Sequence, residues 1–173
     1  LEGLTFEQLA CIYGEGGTCE RWSDLGGAVV PSCPGNRIIR ISRQSNSGTA
    51  QYFRETVVGR ARDLRLGSLD LNGSSETVHL VESTPCAIGY VGMGYVSAAV
   101  KPLCIATAKL APCVAPNPAT AGDRSYPISR ELFLVTLGEP EGAVADFLRW
   151  VKTPVAREVL ERTGYVPLTQ DST

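Results

Sequence analysis

Hydrophobic and polar positions along this chain fall into short blocks whose period changes several times. In "LTFEQLACIY" (4–13), Phe6, Leu9, Ala10 and Tyr13 recur at helical spacing, and Thr5 stands three residues before Gln8 in a capping-box pattern, which predicts a short helix. The glycine-rich run 14–27 breaks that period and predicts a loop. "NRIIRIS" (36–42), rich in isoleucine and preceded by Pro-Gly, predicts a strand, and Ser47 or Asn46 is placed to cap a helix running from Gly48 to about Arg60. Farther along, the pattern predicts a helix over 73–83, strands in "AIGYVG" (87–92) and "KPLCIA" (101–106), and a loop over the proline-rich stretch 112–127. The continuous apolar run "RELFLVTL" (130–137) predicts a buried strand, and a broken helix pair is expected over 142–151 and 154–164, with Pro154 in the first turn of the second. Helices alternating with strands predict an α/β architecture.

Composition changes this picture little. With 173 residues, 43% hydrophobic and 20% charged, the chain can bury a core in one domain with at most a small appendage. A net charge of -2 excludes a global attraction to nucleic acid, so any anion must be bound locally. The longest apolar stretches, 86–100 and 103–114, are cut by Gly, Pro, Lys and Ser, short of the roughly 20 apolar residues a membrane span needs. The chain starts at Leu1 without a leader pattern, which reads as a processed chain or an excised fragment.

The six cysteines contain no CxxC pair, and His79 is the single histidine, so neither a metal nor a cofactor is expected. An even cysteine count suits disulfides formed in an oxidising compartment, with buried thiols as the alternative. Of the pairings open to six cysteines, the early cysteines joined to each other and Cys104 joined to Cys113 are preferred.

The densest chemistry lies in "ISRQSNSGTAQYF" (41–53). If the strand ends near Arg43 and the helix begins near Ser47, the Gly48 and Thr49 amides are unpaired donors at a partly positive helix tip. Gly48 admits close approach, Ser47 and Thr49 add hydroxyls, and Arg43 adds a guanidinium that matches two oxygens of a tetrahedral oxyanion. Nothing in the cluster is a general base. The plainer alternative is that Ser47 only caps the helix while Arg43 lies in solvent or pairs with a carboxylate.

Arg43, three intervening residues and then Ser-Gly-Thr resembles the anion-binding signature of the phosphate-binding periplasmic proteins that feed ABC transporters. "LTFEQLACIYG…RWSDLGG" is similar to the segment after that family's first hinge strand, and "PCAIGYVGMGY" resembles its Pro-Gly-Ala-Ile-Gly-Tyr-Val element with Cys86 in place of Gly. "YPISR" (126–130) and "GYVPL" (164–168) resemble its second hinge and closing motif, so the likeness covers nearly the whole chain in order. It implies a lobe of the type II periplasmic-binding-protein fold, with a mixed central sheet flanked by helices, over 1–130. Residues 131–173 would form the hinge strand and C-terminal helices that return to a first lobe. It further implies non-covalent phosphate binding by Arg43, Ser47, Gly48 and Thr49, no enzymatic turnover, and an extracytoplasmic location. The implied partners are an ABC permease and either the first lobe or a second copy of the chain. The alternative function is a binding-protein-like lobe reused as a sensor or envelope interaction module.

Rival signals are weaker. Trp22 is expected to plug a loop against the core, and His79 to face solvent or a carboxylate. "GYVGMG" (89–94) misses the dinucleotide spacing, and "GEGG" (14–17) lacks the Lys-Ser or Lys-Thr of a nucleotide loop. Neither Ser45 nor Ser47 sits in the G-x-S-x-G context of a nucleophile.

Overall fold

Thr5 joins the first two elements. The computed structural model, which describes residues 1–27, 30 and 33–167, begins with strand β1 (Gly3–Thr5) and passes directly into helix α1 (Phe6–Tyr13). The Thr5 hydroxyl accepts from the Gln8 N–H at 3.1 Å while the Thr5 N–H donates to Gln8 Oε1 at 2.9 Å, so the predicted capping box is present. α1 buries Leu9, Ile12 and Tyr13.

The central sheet is parallel. β2 (Ile39–Arg43) lies between β3 (Leu69–Leu71) and β4 (Ala87–Ile88), with Arg43 opposite Leu71 and Ile39 opposite Ala87. Parallel neighbours need crossover connections. α2 (Gly48–Phe53), continued by a π-helical turn (Arg54–Val58), leads from β2 to β3, and α3 (Ser74–Ser83) leads from β3 to β4. The chain thus leaves β2 toward one side and returns to its other side, which makes the C-terminal end of β2 a topological switch point. β1 pairs in parallel with β5 (Cys104–Ala106) as a separate ladder, and isolated antiparallel bridges such as Ile105–Val114 make the pairing mixed. The predicted α/β class is present.

One aromatic cluster sits beneath the switch point. Phe53 and Tyr90 stack with centroids 4.0 Å apart, and Tyr13 meets both edge-on at 5.2 and 5.5 Å. The Tyr13 hydroxyl donates to Ile88 O at 2.7 Å and lies 3.2 Å from Ile41 O, fixing α1 to the two strands. Trp22 is buried in a 3-10 turn (Trp22–Leu25), as a core plug should be.

Burial pushes the Tyr126 hydroxyl up to about 12 and raises those of Tyr13 and Tyr90 above their ordinary value of 10.0. The fold therefore favours the neutral phenols, whose contribution to stability is present below pH 10; that of Tyr126 is lost as pH rises toward about 12. Urea unfolding between pH 8 and 12 is expected to show this fall, and Tyr126→Phe to flatten part of it; an identical slope in the variant would exclude Tyr126 as a source.

Several expectations are corrected. The helix from Gly48 ends at Val58 rather than Arg60: the Gly59 N–H bonds Arg54 O in the π pattern, and Gly59 takes a φ of 96° that turns the chain away. The run 130–137 forms no strand among the described residues, and Phe133, Val135 and Leu137 are 77%, 90% and 105% exposed. An apolar run is a buried strand only where a sheet edge receives it, and no described strand of this chain pairs with it. β3 was not predicted, because Leu-Asp-Leu is short and largely exposed. The loop 112–127 contains a short helix, α4 (Pro118–Gly122), capped by Asn117, whose side chain accepts from the Thr120 N–H at 3.0 Å. The predicted strands 87–92 and 101–106 shrink to Ala87–Ile88 and Cys104–Ala106.

Three disulfides close the fold: Cys11–Cys19, Cys33–Cys86 and Cys104–Cys113. The two local pairs match expectation, and Cys33, the early cysteine left over, joins Cys86. The β2–β4 pairing carries the chain after Cys33 alongside Cys86, where the Ile39 N–H donates to Cys86 O at 3.1 Å.

The helix pair is present as α5 (Gly142–Val151) and α6 (Pro154–Arg162). Phe147 and Trp150 of α5 stack on each other but remain 50% and 44% exposed. The chain then returns to the first part of the molecule: a Cβ on Gly164 would fall on the backbone of Gly94, so the two segments touch at glycines. Leu168 of the closing motif "GYVPL" lies outside the described residues.

Candidate anion-binding site

The four predicted residues lie along the C-terminal end of β2 and the first turn of α2. Arg43 ends the strand and is half-buried, Ser47 and Thr49 are half-buried, and Gly48 is exposed, so the tip of α2 faces solvent. A turn in which the Ser47 N–H donates to Gln44 O at 2.9 Å joins the two elements.

Arg43 neither floats in solvent nor pairs with a carboxylate. Its Nε donates to Leu71 O at 3.2 Å, Nη1 to Ser74 Oγ at 2.6 Å and Nη2 to Asn72 O at 2.5 Å. Two carbonyls and a hydroxyl hold the guanidinium without cancelling its charge. Since a guanidinium has five N–H donors, one on each Nη remains for a ligand. Behind it, the Tyr90 hydroxyl accepts from the Arg43 N–H at 3.4 Å and shares a hydrogen bond with Ser42 Oγ at 2.6 Å. Burial is the main cause of Tyr90's raised pKa, and the neutral phenol fixes the end of β2.

Ser47 caps α2 as predicted: its Oγ accepts from the Thr49 N–H at 3.2 Å. That corrects one expectation, because the Thr49 amide already has a partner. The Gly48 N–H has none among the described residues and remains the open donor of the turn. His79 stands exposed on α3. No group of three or more His, Cys, Asp or Glu among the described residues could hold a metal.

Two residues beside the site escaped the sequence reading. Arg130 Nη1 donates to Gly48 O at 3.1 Å, and its Cζ lies 5.3 Å from the centroid of the Tyr52 ring. The Tyr52 hydroxyl in turn donates to Ser129 O at 2.5 Å, stapling the end of "YPISR" to α2. The available signal was Tyr52 at i+4 from Gly48, on the same helical face, but nothing in the sequence named its distant partner.

The sequence pattern of the family described as PBP superfamily domain matches residues 1–154. The phosphate-binding protein PstS of Pseudomonas aeruginosa is 30% identical over 97% of this chain and 54% of its own length, and that of Borreliella burgdorferi 24% identical over 96% and 58%. The chain spans about half the length of these curated relatives. Among solved structures, a putative phosphate ABC transporter substrate-binding protein with bound phosphate from Clostridium perfringens matches 98% of this chain and 64% of its own. Its TM-score is 0.74, with 22% identity. An ABC-type phosphate transport receptor from Vibrio cholerae matches at a TM-score of 0.69 and 21% identity, over 96% of this chain and 64% of its own. The structural likenesses show the shared fold, and the sequence match adds the lineage: this chain belongs to the PBP superfamily domain family.

Proposed function

We propose that this chain is the anion-binding second lobe, with its returning segment, of a phosphate-binding protein serving an ABC uptake system. Arg43, Ser47, Gly48 and Thr49 bind one face of a tetrahedral oxyanion, inorganic phosphate being the physiological one. The supporting observation is the Arg43 guanidinium, fixed by neutral groups at the switch point of a parallel sheet and still holding unused donors. No bond is made or broken; the site captures the ion and releases it to a permease. Residues 1–130 form the lobe. From Glu131 onward, the exposed apolar faces of 131–137 and α5 are covered by the first lobe. The three disulfides support an extracytoplasmic location, and none of the helices among the described residues is long and apolar enough to cross a membrane.

Arg43→Ala is expected to remove a charge-assisted pair and cost about 1.5–3 kcal/mol of phosphate binding in the two-lobed protein. Calorimetry measures this, and an unchanged affinity would exclude Arg43 from the site.

A further inference from the structure

We infer that Arg130 is a second guanidinium of this oxyanion site and sets its preference for doubly charged ions, an inference that rests on the anion-binding reading of Arg43 and α2. Three observations carry it. Beyond its chain neighbours and its own helix backbone, the heavy atoms among the described residues that a Cβ on Gly48 would approach within 4 Å are Nη2 and Nη1 of Arg130, at 3.6 and 3.7 Å, so an ion reaching the bare face of Gly48 meets this guanidinium. The side chain is held there by its bond to Gly48 O and by the Tyr52 ring, which is itself tied to Ser129. Its charge is also uncompensated: neither Arg43 nor Arg130 is in an ion pair among the described residues, and the adjacent Glu131 carboxylate is engaged by Arg124.

The chemistry follows from charge and from the peptide. A guanidinium donating to Gly48 O polarises the Gly48–Thr49 peptide and strengthens the bond that the Thr49 N–H donates to Ser47 Oγ, which firms the cap beside the site. Through space, a second positive charge stabilises a dianion about twice as much as a monoanion of the same shape. Four of the donors of Arg130 remain after the bond to Gly48 O.

The test compares two tetrahedral ions of different charge, sulfate and perchlorate, by NMR titration of the 173-residue chain at constant ionic strength. Arg130→Ala is expected to weaken sulfate binding about three- to tenfold and perchlorate binding by about the square root of that, roughly two- to threefold, while Arg130→Lys keeps most of the discrimination. Equal weakening of both ions by Arg130→Ala, with no recovery in Arg130→Lys, would reduce Arg130 to a structural staple and overturn the inference. So would wild-type behaviour of Arg130→Ala. Arg43→Ala separates the two levels: if it abolishes binding while Arg130→Ala changes nothing, only the role of Arg130 falls. If Arg43→Ala leaves both ions bound as in the wild type, the site reading falls and this inference with it.

Discussion

Placed behind its first lobe, this chain is expected to bind phosphate about a thousandfold more tightly than it does alone. Three or four charge-assisted contacts from Arg43, Ser47, Gly48 and Thr49, at about 1.5–3 kcal/mol each before the costs of association, leave about 4 kcal/mol net. That corresponds to a dissociation constant of about 1 mM. A facing lobe adds a similar number of contacts without a second loss of the ion's translational freedom, and about 4 kcal/mol more is about a thousandfold. Calorimetry with phosphate on the two forms measures the ratio. Equal tight binding by both would show that the site on this lobe is complete, and the two-lobe reading would then fail.

The second large effect is expected from the Cys33–Cys86 disulfide, which joins residues 53 apart in sequence, against 8 and 9 for the other two. In the chain-entropy account a loop of that size restricts the unfolded state by about 4 kcal/mol, and the short loops by about 2.5 kcal/mol. Cys33→Ala with Cys86→Ala should therefore cost more than the same change in either local pair, a large part of the roughly 5–15 kcal/mol that stabilises a domain. Cys86 adds a feature of its own. Its φ of 68° lies in the left-handed region, where glycine is at ease and a side chain is not. The resembled family carries glycine at this point, so the cysteine holds a glycine conformation by means of its bond to Cys33. Combining Cys33→Ala with Cys86→Gly should consequently lose about 1 kcal/mol less than the double alanine variant. Urea unfolding of the three forms decides it; equal losses in all disulfide variants would contradict the loop-size argument.

How much of this was legible beforehand depended on the range of the interaction. Thr5 with Gln8, and Ser47 with Thr49, are written within four residues, and both caps are where the sequence places them. The isoleucines of β2 and the periodic faces of α5 and α6 were equally readable. What stayed hidden was long-range. The partners of Arg43 lie 28 to 31 residues away, from the end of β3, too short and too exposed to predict, to the first residue of α3, and Arg130 reaches Gly48 across 82 residues. The partner of Cys33 stayed open because nothing local shows that β4 lies next to β2. The run 130–137 failed differently: its composition describes an environment that the described part of this chain does not supply. Of the proposed site, the four local residues could be named from the sequence, whereas the groups that hold Arg43 in place and the neighbouring Arg130 could not.

That run also explains a pattern in its flanks. Leu132 to Val135 form an exposed, aggregation-prone patch of the kind that nucleates cross-β stacking when it meets copies of itself. Arg130 and Glu131 stand before it, and Gly138, Glu139, Pro140 and Glu141 follow it, a charged border on one side and a charged, strand-breaking border on the other. Such gatekeepers discourage growth in register while leaving the segment open to a specific sheet. Its sequence thus carries its own protection against self-association while the run is uncovered.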